Sequence, residues 1–185
     1  MQVRVLPRAL MSNAFHGRAS MAPLPPQSAY IVQYIRACRL LLRLERRTWP
    51  DFNAAVMAAA DYEVDLYSFF VVCWHVSDWV DHDATIPRAV RSAVMKAALA
   101  SPVLCLCHDM ANGSKHYTLK SPKAPGVGPG TIDLERQEGT PESNLSFLVI
   151  LQDGTVRPAH ELAREALQAW ADVLSANGLP APKLL

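Results

Sequence analysis

Residues 69–82 read FFVVCWHVSDWVDH, an apolar run with a few polar residues at regular spacing. Within it, His75, Asp78 and His82 lie at offsets 0, 3 and 7. Because a helix advances about 100° per residue, these offsets place the three side chains in one narrow stripe. The rest of the run is rich in tryptophan, cysteine and aliphatic residues. We therefore predict a mostly buried helix that carries a polar stripe.

A second run repeats the same spacing. Residues 103–116 read VLCLCHDMANGSKH, with Asp109, Asn112 and His116 at offsets 0, 3 and 7. We expect the two helices to face each other, which would bring three histidines, two aspartates and an asparagine together in the interior. A buried imidazole would then depend on its acid, so Asp78→Ala is expected to cost about 1–3 kcal/mol.

Helical patterns continue on both sides of these runs. Apolar residues at helical spacing predict four helices, over about 28–47, 50–82, 87–100 and 102–119. Serine and proline residues suited to a first helical turn stand at their starts. The second helix would be about 50 Å long, which leaves room for a bend.

The sequence period changes from helical to alternating near the C-terminus. Residues 131–137 and 145–152 are β-forming runs, and Asp153-Gly154 is typical of a two-residue hairpin turn before 155–157. We therefore predict a small antiparallel sheet of two or three strands over about 131–157.

A last helix is predicted from Pro158, with Asn177-Gly178 as its C-terminal stop. The fold class is mainly α: a helical bundle with a small C-terminal antiparallel β-hairpin and a closing helix. Residues 28–178 form a single domain in this interpretation. A disordered leader at 1–27 precedes the domain, and a tail at 179–185 follows it.

Composition bounds the functional classes. Of 185 residues, 50% are hydrophobic and 19% are charged, which excludes a disordered chain. The net charge of +1 gives no overall attraction to nucleic acid or anionic lipid. No run reaches the roughly 18 apolar residues of a membrane span. The four cysteines lack the spacing of a secreted scaffold, so we expect a cytoplasmic protein.

The charge distribution is less even than the total. No acidic residue precedes Glu45, whereas arginines recur along the first predicted helix. This basic surface is either a solvated face or a contact for RNA or a protein partner. A homodimer is a further alternative, and no membrane contact is expected.

The polar residues suggest two kinds of chemistry. Catalysis would use His75, Asp78, Asn112 and His116, because an aspartate beside an imidazole orients the ring and favours its protonated form. The same arrangement also simply satisfies buried polar groups.

Metal binding is the second chemistry, with His75, Asp78, His82, His108 and Asp109 as candidate ligands for a divalent ion. No His-Glu-x-x-His motif supports it, and no cofactor is otherwise expected.

Asn112 and His116 have the spacing of a known motif. The segment resembles the HEPN superfamily, whose signature is Arg-Asn, three variable residues and His, although Ala111 stands at the arginine position here. The resemblance implies a small helical bundle, often a metal-independent endoribonuclease of defence or toxin systems, with Asn112 and His116 as site residues. Residues 50–178 also look similar to small uncharacterised bacterial helical proteins, a resemblance that implies no activity.

Three hypotheses follow from these observations. The first is a non-catalytic HEPN-like accessory module whose polar stripe fixes the helix register. The second is a metal-independent endoribonuclease, with His116 as the general acid or base. The third is a metal-dependent hydrolase that uses the His/Asp cluster.

Overall fold

Six helices and three strands form the described part of the chain, which covers residues 28–46, 52–113, 131–136, 145–151 and 153–182 of a computed structural model. The helices are α1 (Ala29–Glu45), α2 (Phe52–Trp74), α3 (Val76–His82), α4 (Arg88–Ala100), α5 (Pro102–Gly113) and α6 (Ala159–Ala176). The strands are β1 (Thr131–Arg136), β2 (Leu145–Ile150) and β3 (Val156–Pro158). The predicted fold class, a helical bundle with a small antiparallel sheet and a closing helix, is confirmed.

Helices α1 and α2 pack side by side in opposite directions. The Gln33 side-chain amide donates to the Val72 carbonyl at 3.0 Å, near the start of α1. At its other end, Arg43 forms an ion pair with Asp65, whose side chain is almost fully buried, at 2.9 Å. Because a buried carboxylate needs a partner, this pair fixes the register of the two helices.

The long helix predicted over 50–82 is interrupted at His75. Its backbone stays close to helical geometry, with φ −62° and ψ −9°. The His75 N–H donates to the Val71 carbonyl, and the Trp79 N–H donates to the His75 carbonyl, both at 3.1 Å. At this interruption the Val72 carbonyl accepts from the Gln33 side chain and the Trp74 carbonyl accepts from the Ser77 hydroxyl, so side chains take part in the hydrogen bonding of the α2–α3 junction.

Asp83 joins the α3–α4 turn to the start of α1. Its carboxylate accepts hydrogen bonds from the Thr85 N–H at 2.9 Å and the Thr85 hydroxyl at 2.5 Å. It also faces the Ala29 N–H. Ser28 precedes α1 as predicted, but its side chain makes no capping hydrogen bond. The bonds from Thr85 hold the pKa of Asp83 below its ordinary value, with smaller contributions from Ala29 and Arg91.

The sheet has the order β1-β2-β3, and both pairs are antiparallel. Phe147, Val149 and Leu151 alternate along β2 and are buried. The Phe147 ring stacks on Tyr62 of α2, with centroids 3.8 Å apart. This contact joins the sheet to the bundle through one face of β2.

The predicted two-residue turn at Asp153-Gly154 is longer than expected. The Leu151 N–H donates to the Thr155 carbonyl at 2.8 Å, so the connection closes outside that dipeptide. Gly154 has φ +83°, a left-handed conformation that glycine adopts without strain. A left-handed glycine of this kind closes the longer hairpin connections.

Helix α6 closes the bundle and lies against α1, α2, α4 and α5. Trp170 on its inner face is fully buried, as are Ala163 and Ala166, which let neighbouring helices approach closely. The predicted stop is confirmed: the Gly178 N–H donates to Ser175, the Leu179 N–H donates to Leu174, and Gly178 has φ +71°. This pair of bonds is a Schellman motif.

The predicted leader at 1–27 lies outside the described residues, as do residues 183–185 of the predicted tail. Among the described helices, no single one combines the length and apolar character needed to cross a bilayer; α4 and α5 do so only when taken together, across an 87° bend.

Asp83→Asn is expected to destabilise the protein in a pH-dependent way. A carboxyl whose pKa is lower in the folded than in the unfolded protein stabilises the fold fully at pH values above its ordinary pKa, near 3.8. This stabilisation is lost as the pH falls through the pKa of the folded state. At neutral pH the variant should lose about 1 kcal/mol, the usual contribution of a hydrogen bond. Urea unfolding of both proteins at neutral and acid pH measures this difference. A gap of the same size at both pH values would contradict it.

Candidate functional site

A cluster of three polar residues lies on α5. Ser101 and Pro102 begin this helix as predicted, and the Cys105 N–H donates to the Ser101 carbonyl at 2.9 Å. The helix is apolar on most sides and is therefore buried between α2, α4 and α6. His108, Asp109 and Asn112 are its polar members, and we refer to them as the α5 cluster.

The His108 ring is held at both of its nitrogens. Nδ1 lies 2.7 Å from Asp109 Oδ1, and Nε2 lies 2.9 Å from the side-chain nitrogen of Asn112. An ionised carboxylate only accepts hydrogen bonds, so the proton lies on Nδ1. The Asn112 nitrogen is also 3.4 Å from Nδ1, so the amide lies against the side of the ring next to Nε2 and not along the Nε2 lone pair. Asp109 and Asn112 of the same helix therefore contact the imidazole at both of its nitrogens.

Two tryptophans form the wall of the cluster. The Trp74 ring meets the His108 ring edge to face, with centroids 4.7 Å apart and planes at 79°. Trp170 lies beyond Trp74 at 6.5 Å. The side chain of Asp109 is 1% exposed and that of His108 is 17% exposed. Water therefore reaches one edge of the imidazole and almost none of the carboxylate.

Cysteines pack beneath the cluster. The Cys107 thiol donates to the Phe70 carbonyl at 3.4 Å, and Cys73 lies beside both Cys107 and the Trp170 indole N–H. Burial, together with Cys107, raises the pKa of the Cys73 thiol, and burial raises that of Cys38 to about 11. Thiols of this kind stay protonated at neutral pH and act as small hydrophobic residues.

The first predicted stripe is less buried than expected. His75 Nε2 and Asp78 Oδ2 are 3.9 Å apart, and their side chains are 37% and 56% exposed. His82 is also exposed, and its Nδ1–H donates to the Asp78 carbonyl at 2.8 Å. The prediction of a buried stripe is therefore wrong at Asp78 and His82, because α3 buries Val76 and Val80 instead.

The second predicted stripe is buried in its described part. Asp109 is buried and Asn112 is half-buried, while His116 lies outside the described residues. The hydrogen bonds and ion pairs found for these polar side chains join residues within each run: His75 with Asp78, and His108 with Asp109 and Asn112. Sequence reasoning placed His108 only among metal ligands and missed its role as the partner of Asp109. The signal was the His-Asp dipeptide, followed by an asparagine four residues after the histidine.

The metal-ligand candidates are divided between α5 and the α2–α3 junction. Within the described ranges, no group of three or more histidine, cysteine or acidic side chains is arranged to hold a metal ion. The α2–α3 junction and α3 carry His75, Asp78 and His82, whereas α5 carries His108 and Asp109. Divalent metal binding stays a prediction.

The basic face of α1 is partly engaged inside the molecule. Arg36 donates to Gln33 at 3.2 Å, and its guanidinium lies 5.6 Å from the Trp79 ring centroid. Arg43 pairs with Asp65. Arg39 and Arg46 line a shallow depression with Arg43. RNA binding through this helix stays a prediction.

Comparison with known proteins finds no matching protein-family model, no curated protein and no solved structure that resembles this chain.

A comparison of Asp109→Ala with Asp78→Ala should show that the buried acid contributes more to stability than the exposed one. Removing Asp109 leaves the His108 Nδ1–H without its charged acceptor, and we expect a loss of about 2–3 kcal/mol. Asp78→Ala is the matched control, and its cost should stay within about 0.5 kcal/mol, since it is exposed and distant from His75. Chemical denaturation with far-UV circular dichroism measures both values. Equal losses would contradict the assignment.

Proposed function

We propose that this chain is a non-catalytic helical module, HEPN-like in its Asn112/His116 spacing, that acts by binding a protein partner. The observation that carries the proposal is the state of His108, whose side chain is 17% exposed. Its Nδ1 is bonded to Asp109, and the Asn112 amide covers the ring beside Nε2. In this proposal the α5 cluster holds the helices in register and does not turn over a substrate.

The chemistry of general bases supports this view. A general base needs a lone pair within hydrogen-bond reach of the proton that it removes. In His108 the Asn112 amide nitrogen lies 2.9 Å from Nε2 and occupies space that a substrate would need beside that nitrogen. His75 is more accessible, but the Asp78 carboxylate lies 3.9 Å away and does not hold the ring.

The cysteines support a cytoplasmic location in this proposal. All four are free thiols, and three of them are buried. Unpaired cysteines of this kind are typical of a reducing compartment.

A metal-independent endoribonuclease is the second candidate, and one observation favours it. Asp109 holds His108 in the Nδ1–H form, which is the form that presents Nε2 as a base. Rotation of the Asn112 side chain would uncover that nitrogen. His116, three residues after the end of α5, would be a second imidazole for general acid catalysis.

An RNA cleavage assay in excess chelator tests the proposed function. We expect the wild-type protein, His108→Ala and His116→Ala to leave single-stranded and hairpin RNA equally intact. Thermal unfolding run beside the assay should show a lower midpoint for His108→Ala, because Asp109 and Asn112 then lose their common partner.

Metal-independent cleavage by the wild type that His116→Ala abolishes without loss of fold would overturn the proposal and establish the nuclease. The same assay with added divalent ions covers metal-dependent hydrolysis. Activity there should be accompanied by stoichiometric metal in elemental analysis and by lower stability in chelator.

A further inference from the structure

Helix α2 is apolar on two opposite sides. Its inner side packs into the core, and the buried residues there are Tyr62, Leu66, Phe69, Phe70 and Cys73. The opposite side is also apolar, and we call it the outer face of α2. Its residues are Met57, Ala60, Val64, Tyr67 and Val71. A helix that is apolar all round is normally covered on both sides, but the described part of the chain buries α2 on only one.

The exposure of the outer face is large. Met57 is 84% exposed and Val64 is 64% exposed, the two highest values among the large hydrophobic residues in the described ranges. Neighbouring Val56 is 47% exposed. Tyr67 and Val71 are half-buried because they line a groove of about 650 Å³ that ends at Gly113 of α5. The described part of the chain therefore leaves the apolar side chains of Met57 and Val64 largely uncovered.

The spacing of the outer face fits a helical partner. Its members follow one another at intervals of three, four, three and four residues. This alternation is the pattern by which one helix packs along another. Ala60 is small and would let a partner helix approach closely. A second helix laid along this face would also fill the groove beside Val71.

The charges that α2 itself carries are all negative. Helix α2 contains no lysine or arginine, and exposed Asp61 and Glu63 lie on its two sides. Asp65 already pairs with Arg43. If a second copy of the chain docked here, Asp61 and Glu63 of one copy would lie near the same two acids of the other copy. This holds for parallel and antiparallel helices, because both acids lie within three residues of Val64. A basic partner would meet complementary charge.

We propose that the outer face of α2 is a docking site for a basic amphipathic helix of a partner protein. This inference rests on the proposed function, since it names the kind of partner that the module binds. Apolar residues of the partner would lie along Met57, Val64 and Val71, and its lysines or arginines would face Asp61 and Glu63. The binding mode is that of an amphipathic helix in a groove.

Two synthetic peptides of about 18 residues, or five helical turns, test the proposal. Both carry leucine at alternating three- and four-residue intervals, one with lysine and the other with glutamate at the remaining positions. Fluorescence anisotropy with the full-length chain should show saturable binding of the lysine peptide and at least about tenfold weaker binding of the glutamate peptide. Added salt should weaken the first interaction.

Substitutions make the test specific to this face. Val64→Glu should weaken binding of the lysine peptide by about tenfold or more. The variant should still fold, because Val64 is exposed. The double variant Asp61→Lys/Glu63→Lys should shift the preference toward the glutamate peptide. Leu99→Glu is the matched control, since Leu99 is 46% exposed on α4 and should leave binding unchanged.

Three results would overturn the inference. The first is that neither peptide binds above background. The second is that both peptides bind equally well to the wild type and to Val64→Glu. The third is that light scattering shows a dimer that Val64→Glu dissociates. The last result would assign the face to a second copy of the chain. If the peptides do not bind and the protein does not cleave RNA, only the assignment of the partner is wrong. If the protein cleaves RNA, the proposed function is wrong, whether or not the peptides bind.

Discussion

The buried carboxylate of Asp109 is the constraint on which the arrangement of the other helices depends. A charge that is 1% exposed is stable only with a close hydrogen-bonding partner, and His108 supplies it at 2.7 Å. That contact orients the imidazole, so Nε2 meets Asn112 and the ring edge meets Trp74. Since Trp74 ends α2, the polar groups of α5 determine where α2 lies against it.

The cluster and the outer face of α2 are therefore parts of one arrangement. Helix α2 is held on its inner side by aromatic residues and at its C-terminal end by the contact of Trp74 with His108. The Arg43–Asp65 pair prevents it from sliding along α1. A helix fixed at these points presents its exposed side as a rigid surface. Rigid surfaces bind with a smaller entropic cost than mobile ones, which is why binding suits this helix better than a flexible loop.

Much of the fold could be predicted because short sequence motifs mark the ends of helices and strands. Ser101-Pro102 began α5, Asn177-Gly178 ended α6, and residues 131–157 changed period where the sheet lies. These signals depend on local backbone geometry, so no knowledge of packing was needed. The hairpin turn was predicted too short, since Asp153-Gly154 suits both the short connection and the longer one that closes at Thr155.

The candidate site was harder to predict because residue spacing shows which side chains share a face of a helix, but not whether that face points into the core or into water. Offsets of 0, 3 and 7 place His75, Asp78 and His82 together whether that stripe points into the core or into water. The surrounding run is apolar on nearly every side, so the hydrophobic pattern could not fix the rotation of the helix. In α3 the rotation is set by Val76 and Val80, whose burial turns Asp78 outward. The same ambiguity concealed the outer face of α2: a helix with two apolar sides looks like a core helix in sequence, and only its packing reveals which side the described residues leave exposed.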